Sequence, residues 1–215
     1  GGSQLTVQTD DLLSGSSALG IELTPSMLAQ LHEYCELVLT WNRSFNFISR
    51  KDIGRLLPRH ILDSLSALPY VRGERVLDVG SGAGLPGIPL AIVSPEVRFD
   101  LCDRAERRIR FLEQVCLTLG LSNVACKAAD LGAPHALEAR SYATITARAL
   151  AKPGVVWGLV EPLLGPTGRV LCFLSTQGAE VGADINADER FRAQLIEVKV
   201  PGLAQAHEIL SLERP

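Results

Sequence analysis

The sequence predicts an α/β protein: a doubly wound, mostly parallel sheet with a terminal antiparallel hairpin and a helical N-terminal cap. Three observations predict it. The apolar run Arg75-Val76-Leu77-Asp78-Val79 breaks into a glycine-rich turn, Gly80-Ser81-Gly82-Ala83-Gly84-Leu85-Pro86-Gly87. From Arg75 onward short β-branched runs alternate with helical patterns, as parallel strands joined by crossover helices require. The last two apolar runs, Leu195 to Val200 and Glu208 to Leu212, flank Pro201-Gly202 closely enough to pair as a hairpin.

Each element has its own signal. Residues 24–41 form an amphipathic helix: Thr24 caps it, Pro25 suits its first turn, and Leu28, Leu31, Cys35, Val38 and Leu39 recur at helical spacing. Residues 52–70 are a second helical stretch, interrupted near Pro58 and resumed through Ile61, Leu62, Leu65 and Leu68. Residues 1–72 are thus a helical cap, beginning with what resembles an expression scar, Gly1-Gly2-Ser3, on a domain spanning 73–215. Val76, Leu77 and Val79 suit a strand buried on both faces, and Leu85 to Val93 a helix with Pro86 in its first turn. Val97 to Cys102 is a strand ending at Asp103, and Ala105 to Leu119 a helix closed by Gly120. Val124–Ala128 and Tyr142–Thr146 are strands, and Val155–Leu164 is a helix broken at Pro162. Arg169–Leu174 is a fifth strand after a Gly165-Pro166 turn, and Gly178–Asp188 a loop or short helix.

Composition sets the class. A chain of 215 residues, 47% hydrophobic and 21% charged, suits one soluble domain with a small appendage. It has no apolar run of the roughly 20 residues a membrane helix needs, and its polar, acidic N-terminal segment lacks the pattern of a secretion signal. A cytoplasmic location is expected. Cys35, Cys102, Cys116, Cys126 and Cys172 are scattered and never form C-x-x-C, so buried reduced thiols are expected, without disulfides or zinc. His32, His60, His135 and His207 show no metal-ligand spacing. A net charge of −3 excludes a general polyanion binder. Two basic clusters nevertheless stand out: Arg43, Arg50, Lys51, Arg55 and Arg59, then Arg104, Arg107, Arg108 and Arg110. Such patches bind phosphates locally, because the field within a Debye length decides contact.

The glycine loop admits two cofactors. Gly82-Ala83-Gly84-Leu85-Pro86-Gly87 is a literal G-x-G-x-x-G, the dinucleotide fingerprint. In that register Asp78 has no role, and Pro86 removes an amide where a pyrophosphate wants donors. The register Asp78-x-Gly80-x-Gly82-x-Gly84 instead puts a carboxylate at the strand tip, where it suits the ammonium group of S-adenosylmethionine. The plain alternative is a tight turn with no ligand. Asp103 lies 21 residues after Gly82, where doubly wound folds place an acid on ribose hydroxyls. Its alternative is an N-cap of the helix near Ala105. Leu101, Cys102 and Ala128 would line an adenine slot. A nucleophile elbow and a phosphate-binding G-K-[ST] loop are both missing. The terminal hairpin favours a Rossmann-like class I S-adenosylmethionine-dependent methyltransferase over a dehydrogenase.

Four segments carry a family resemblance: Trp41-Asn42-Arg43-Ser44-Phe45-Asn46-Phe47, Arg59-His60-Ile61-Leu62-Asp63-Ser64-Leu65, Leu77 through Leu90, and Arg107-Arg108-Ile109-Arg110-Phe111-Leu112. From about Leu23 to Leu212 the chain resembles the glucose-inhibited division protein B family, bacterial ribosomal RNA methyltransferases that form 7-methylguanosine in the small subunit. The resemblance implies cofactor contacts at Gly80, Gly82, Leu85, Asp103, Ala128, Ala129 and Arg148, to which the loop's own register adds Asp78, Ser81 and Gly84. Three segments depart from the family pattern: Asn46-Phe47-Ile48, Lys127-Ala128-Ala129-Asp130, and the region of Ser175 and Thr176.

The implied reaction is methyl transfer to the seventh-position nitrogen of a guanine in 16S ribosomal RNA within the small subunit, by a monomer without metal. That nitrogen carries a lone pair and no proton, so alignment matters more than a general base. Arg148 is the candidate catalytic group, holding the guanine or bridging cofactor and RNA; a surface salt bridge is its alternative. Arg59, His60, Arg104, Arg107, Arg108 and Lys127 are candidate RNA contacts, the arginines after Asp103 sharing a helix face. His60 and Asp63 otherwise pin the N-terminal helices to the sheet. Competing readings are a methyltransferase acting on a small molecule or protein, an NAD-binding dehydrogenase, and a non-catalytic binding module.

Overall fold

The computed structural model describes residues 2–45, 53–132, 137–148, 151–174, 188–200 and 207–215. In chain order its helices are α1 (Gly2–Ala18), α2 (Pro25–Phe45), α3 (Ile53–Leu65), α4 (Gly87–Val93), α5 (Glu106–Leu119) and α6 (Pro153–Val160). Its strands are β1 (Arg75–Val79), β2 (Arg98–Asp103), β3 (Val124–Ala128), β4 (Tyr142–Arg148), β5 (Leu164–Leu174), β6 (Arg192–Val198) and β7 (His207–Glu213). They form one sheet in the order β3-β2-β1-β4-β5-β7-β6. The first five strands run parallel; β7 is antiparallel to β5, and β6 to β7. Strand order reverses between β1 and β4, and such a reversal opens a ligand crevice at the carboxyl ends of the strands.

Both faces of the sheet are covered. On one, Leu31, Tyr34, Cys35 and Val38 of α2 and Ile61 and Leu65 of α3 share a core with Val76, Phe99, Leu101 and the apolar side of α5. The N-terminal helices are therefore continuous with the sheet's own core. On the other, Leu77, Val79, Ile145 and Ala147 pack against Val156, Trp157 and Val160 of α6.

Several boundaries differ from the sequence reading, each for a local reason. The first helix, α1, carries little amphipathic pattern; it is anchored by Leu12, fully buried, and by Gly15 lying against Leu62 of α3. α3 continues through Pro58, which is buried within it. α4 starts at Gly87, with Pro86 outside as its N-cap after a cis Leu85-Pro86 bond, because Gly87 N–H is held by Asp78. β5 begins at Leu164, so Gly165-Pro166 is no turn: it is the irregular start of the strand, where register with β4 shifts and Arg214 caps the Gly165 carbonyl. α6 ends at Val160, and a single 3₁₀ turn over Glu161–Leu163 takes the place of the broken helix. The hairpin strands are shifted to 192–198 and 207–213, and their connection at Pro201-Gly202 lies outside the described residues. So do Asn46, Phe47, Ile48, Ser175, Thr176 and residues 178–187. All five cysteines are free, but Cys116 and Cys126 are only half-buried and their sulfurs meet at 3.9 Å. Among the described residues no helix is long and apolar enough to cross a membrane.

Candidate active site

The site grows from the carboxyl ends of β1, β2, β3 and β4. Gly80, Gly82 and Gly84 have φ of 65°, 58° and 97°, the left-handed region that side chains disfavour. A Cβ on Gly82 would meet nothing nearer than the Gly80 carbonyl at 3.9 Å, so that side of the loop faces open space. A Cβ on Gly84 would sit 2.6 Å from Ile88, and one on Gly87 would sit 2.4 Å from Leu101. The glycines thus divide by use: Gly82 leaves room for a ligand, whereas Gly84 and Gly87 let the core close beneath the loop.

Asp78 lies under the loop, fully buried. Its Oδ1 accepts the Thr146 hydroxyl at 2.9 Å; its Oδ2 accepts the Ser81 hydroxyl at 2.9 Å and the Gly87 N–H at 3.2 Å. The expectation that this carboxylate faces the ligand therefore meets a different arrangement, in which three donors from the protein occupy it and it holds the loop in shape. Burial pushes its pKa up to about 6, against the pull of those hydrogen bonds and of Arg148. Tyr34 of α2 supports the loop from the same side, its hydroxyl donating to the Ala83 carbonyl at 2.6 Å. Burial raises the Tyr34 pKa well above its ordinary value. Ser81 is also locked, its N–H donating to the Cys102 carbonyl, and the Leu85 side chain is buried in the core. Neither side chain faces a ligand, and the Ser81 backbone is engaged too, its carbonyl accepting the Gly84 N–H at 2.8 Å.

Asp103, the last residue of β2, sits at the rim. Its Oδ2 accepts the Gly82 N–H at 3.0 Å, tying the rim to the loop, and its Oδ1 accepts the Ala105 N–H at 2.9 Å. Asp103 is not the N-cap of α5, which is Ala105, but it orders the turn before the helix; its Oδ1 also accepts Arg108 Nη1 at 3.5 Å, so Oδ2 is the oxygen that keeps a further lone pair for a hydroxyl. Ala128 pairs with Asp103 in register, and the Ala129 N–H donates to the Asp103 carbonyl, so both lie beside Asp103 at the carboxyl ends of β2 and β3, whereas Leu101 and Cys102, expected to line an adenine slot with Ala128, are buried in the core.

Arg148 ends β4, one residue beyond the Val79–Ala147 pair of β1 and β4. Its Nη2 lies 2.7 Å from His60 Nδ1 on α3. One turn further along α3, Asp63 Oδ1 lies 3.0 Å from His207 Nδ1 on β7. No hydrogen bond forms there, and the contact is an ion pair only when His207 is protonated. Burial, Arg148 and His207 together lower the His60 pKa to about 4. Burial raises that of Asp63, against the opposing pull of His207 and Arg148.

The basic candidates are not all gathered together. α5 begins at Glu106, so Arg104 precedes the helix and does not share a face with Arg107 and Arg108 as expected; Ala105 is extended there, with its N–H held by Asp103. All three are exposed, and Arg108 lies 3.5 Å from Asp103. Arg59 is half-buried on α3. Lys127 turns back to the sheet, its Nζ 3.6 Å from Asp100. Sequence reasoning missed Tyr34, Thr146 and His207. Tyr34 carried a signal, an aromatic on the apolar stripe of α2; Thr146 and His207 carried none.

The fit to S-adenosylmethionine rests on the open side of Gly82, the buried acid Asp103 at its rim and the exposed strand end at Ala128. A doubly wound sheet with that loop at its switch point defines a class I S-adenosylmethionine-dependent methyltransferase fold. Solved structures share it: a methyltransferase from Geobacter sulfurreducens (TM-score 0.58, 16% identity, covering 90% of this chain and 92% of that one) and a SAM-dependent methyltransferase from Aquifex aeolicus (0.55, 19%, 71% and 88%). The pattern of the family described as rRNA small subunit methyltransferase G (GidB) matches residues 27–210. Ribosomal RNA small subunit methyltransferase G of Laribacter hongkongensis is 36% identical over 205 residues, covering 94% of this chain and 97% of that protein. The protein of the same name from Shewanella loihica is 34% identical over 208 residues, covering 96% and 97%. The chain belongs to the rRNA small subunit methyltransferase G family.

Proposed function

We propose that the protein transfers the methyl group of S-adenosylmethionine to the seventh-position nitrogen of a guanine in 16S ribosomal RNA, acting as a cytoplasmic monomer on the small subunit. The observation that carries this reading is Arg148 at the carboxyl end of β4, the strand paired with the one that leads into the glycine loop, whose outer side at Gly82 is open. Bound there, S-adenosylmethionine supplies an electrophilic methyl on a sulfonium centre. The Gly80–Gly84 backbone takes the amino-acid end, Asp103 accepts ribose hydroxyls, and the backbone of Ala128 and Ala129 borders the adenine. Arg148 donates to the guanine carbonyl oxygen and holds the ring so that its neighbouring nitrogen lone pair meets the methyl in line. Because that nitrogen bears no proton, no residue has to act as base. Arg59, Arg104, Arg107 and Arg108 meet phosphates on the way in.

The test is transfer of tritiated methyl from S-adenosylmethionine to small subunits lacking the modification, followed by nucleoside analysis. Label in 7-methylguanosine is expected, with Arg148→Ala lowering turnover by about a hundredfold or more while the protein stays folded. Label in another nucleoside, or in protein, overturns the reading.

A further inference from the structure

Two carboxylates, Asp63 and Asp78, feel the field of Arg148, yet among the described residues neither lies within ion-pair distance of it. Asp78 is occupied by Thr146, Ser81 and Gly87, and Asp63 is paired with His207. The polar atom that does meet the guanidinium is an imidazole nitrogen. A guanidinium has donors and no acceptor, so His60 Nδ1 must be the acceptor and the ring proton must sit on Nε2. With its pKa lowered to about 4, the ring is neutral at working pH.

We infer that His60 is a charge-preserving clamp: a neutral acceptor that fixes the Arg148 guanidinium in place while leaving its whole positive charge for the acceptor RNA. Fixing a long side chain matters, because a free arginine loses about 2 kcal/mol of rotamer freedom when it is ordered. A carboxylate in the same position would order it equally well and cancel the charge that strengthens its hydrogen bonds to a guanine carbonyl oxygen or an RNA phosphate. The Asp63–His207 pairing completes the device by drawing the nearest acid of α3 towards β7 and anchoring the turn that carries His60. His60 is thus a positioning residue, and its role rests on the catalytic reading of Arg148.

The decisive pair is His60→Gln against His60→Glu, side chains of equal size that differ by one charge. His60→Ala lowers kcat by about tenfold or more with cofactor affinity within about twofold of wild type. His60→Gln recovers most of that loss; His60→Glu recovers none, although its fold, followed by circular dichroism, matches that of His60→Gln. In an Arg148→Ala background His60→Ala has no further effect. Equal turnover in the Gln and Glu variants overturns the clamp, as does an additive loss in the double variant. Should His60→Glu fail to fold, nitrogen NMR of the wild-type protein decides instead. At pH 7 a neutral His60 ring protonated on Nε2 is expected; an imidazolium or the opposite tautomer overturns the inference. Full turnover in Arg148→Ala would sink the underlying reading, whereas an inactive Arg148→Ala with indifferent His60 variants sinks the clamp alone.

Discussion

The two faces of the glycine loop are built from neighbouring residues and do opposite things. On the inner face both carboxylate oxygens of Asp78 are matched, Tyr34 holds the Ala83 carbonyl, and Gly84 and Gly87 let side chains close in where a Cβ would not fit. On the outer face Gly82 looks into open space, Asp103 Oδ2 keeps a lone pair free, and the Arg148 guanidinium rests against an imidazole. The contrast teaches how a flexible sequence is made into a rigid receptor. A loop of glycines is entropically expensive to order, and the inner hydrogen bonds hold it so that cofactor binding does not have to.

The largest effect expected is on pH dependence, where the two faces oppose each other. Asp78 has a folded pKa of about 6 against an ordinary 3.8, so it favours the fold below pH 3.8 and that support is lost as pH rises through about 6. His60 has a folded pKa of about 4 against 6.5, so its support is present above pH 6.5 and lost as pH falls through about 4. Each is worth about 3 kcal/mol, and over the shared window they offset one another. Relative to wild type, Asp78→Asn loses stability as pH falls from 6.5 to 4, and His60→Gln gains it. Urea unfolding at pH 4.5 and 7 checks the signs; curves parallel to wild type would contradict them.

Next comes Gly82→Val, which fills the outer face. It should weaken cofactor binding by about a hundredfold or more in calorimetry, while backbone strain costs the fold only about 1–2 kcal/mol. Retained affinity would remove the loop's outer side from the site. Gly87→Ala has the reverse profile: its Cβ would press 2.4 Å from Leu101 and 2.7 Å from Asp78, destabilising the fold by about 1–3 kcal/mol. A thermal midpoint equal to wild type would show that the inner face is not closely packed. The smallest effect is that of Tyr34→Phe, which removes one buried hydrogen bond to the loop, about 1 kcal/mol. Its loss should appear in denaturant midpoint, with the cofactor still bound; a collapse of binding would place Tyr34 on the outer face.

Much of the fold was legible because its signals are short-range. Apolar runs, glycines at alternate positions and Gly120 in the left-handed conformation each report on the few residues around them. Where the reading slipped, a distant partner intervened. Gly165-Pro166 looks like a turn, but Arg214, 49 residues on, holds that backbone in the strand. Asp78 looks like a ligand contact until Thr146, 68 residues later, is seen to donate to it. Arg104 drops out of its helical trio because Asp103 holds the next amide and delays the helix.

By itself the sequence determined the strand–loop–helix unit, the acid at the end of the second strand, the arginine near the end of the fourth and the family to which they belong. These follow from local sterics and from residue types kept in order along the chain. Only the tertiary structure decided which way each group points: Asp78 inward, Gly82 outward, Lys127 back to Asp100, and His60 onto Arg148 across 88 residues. Sheet order makes those choices, because placing β4 beside β1 and packing α3 over their ends brings together side chains that no spacing in the sequence relates.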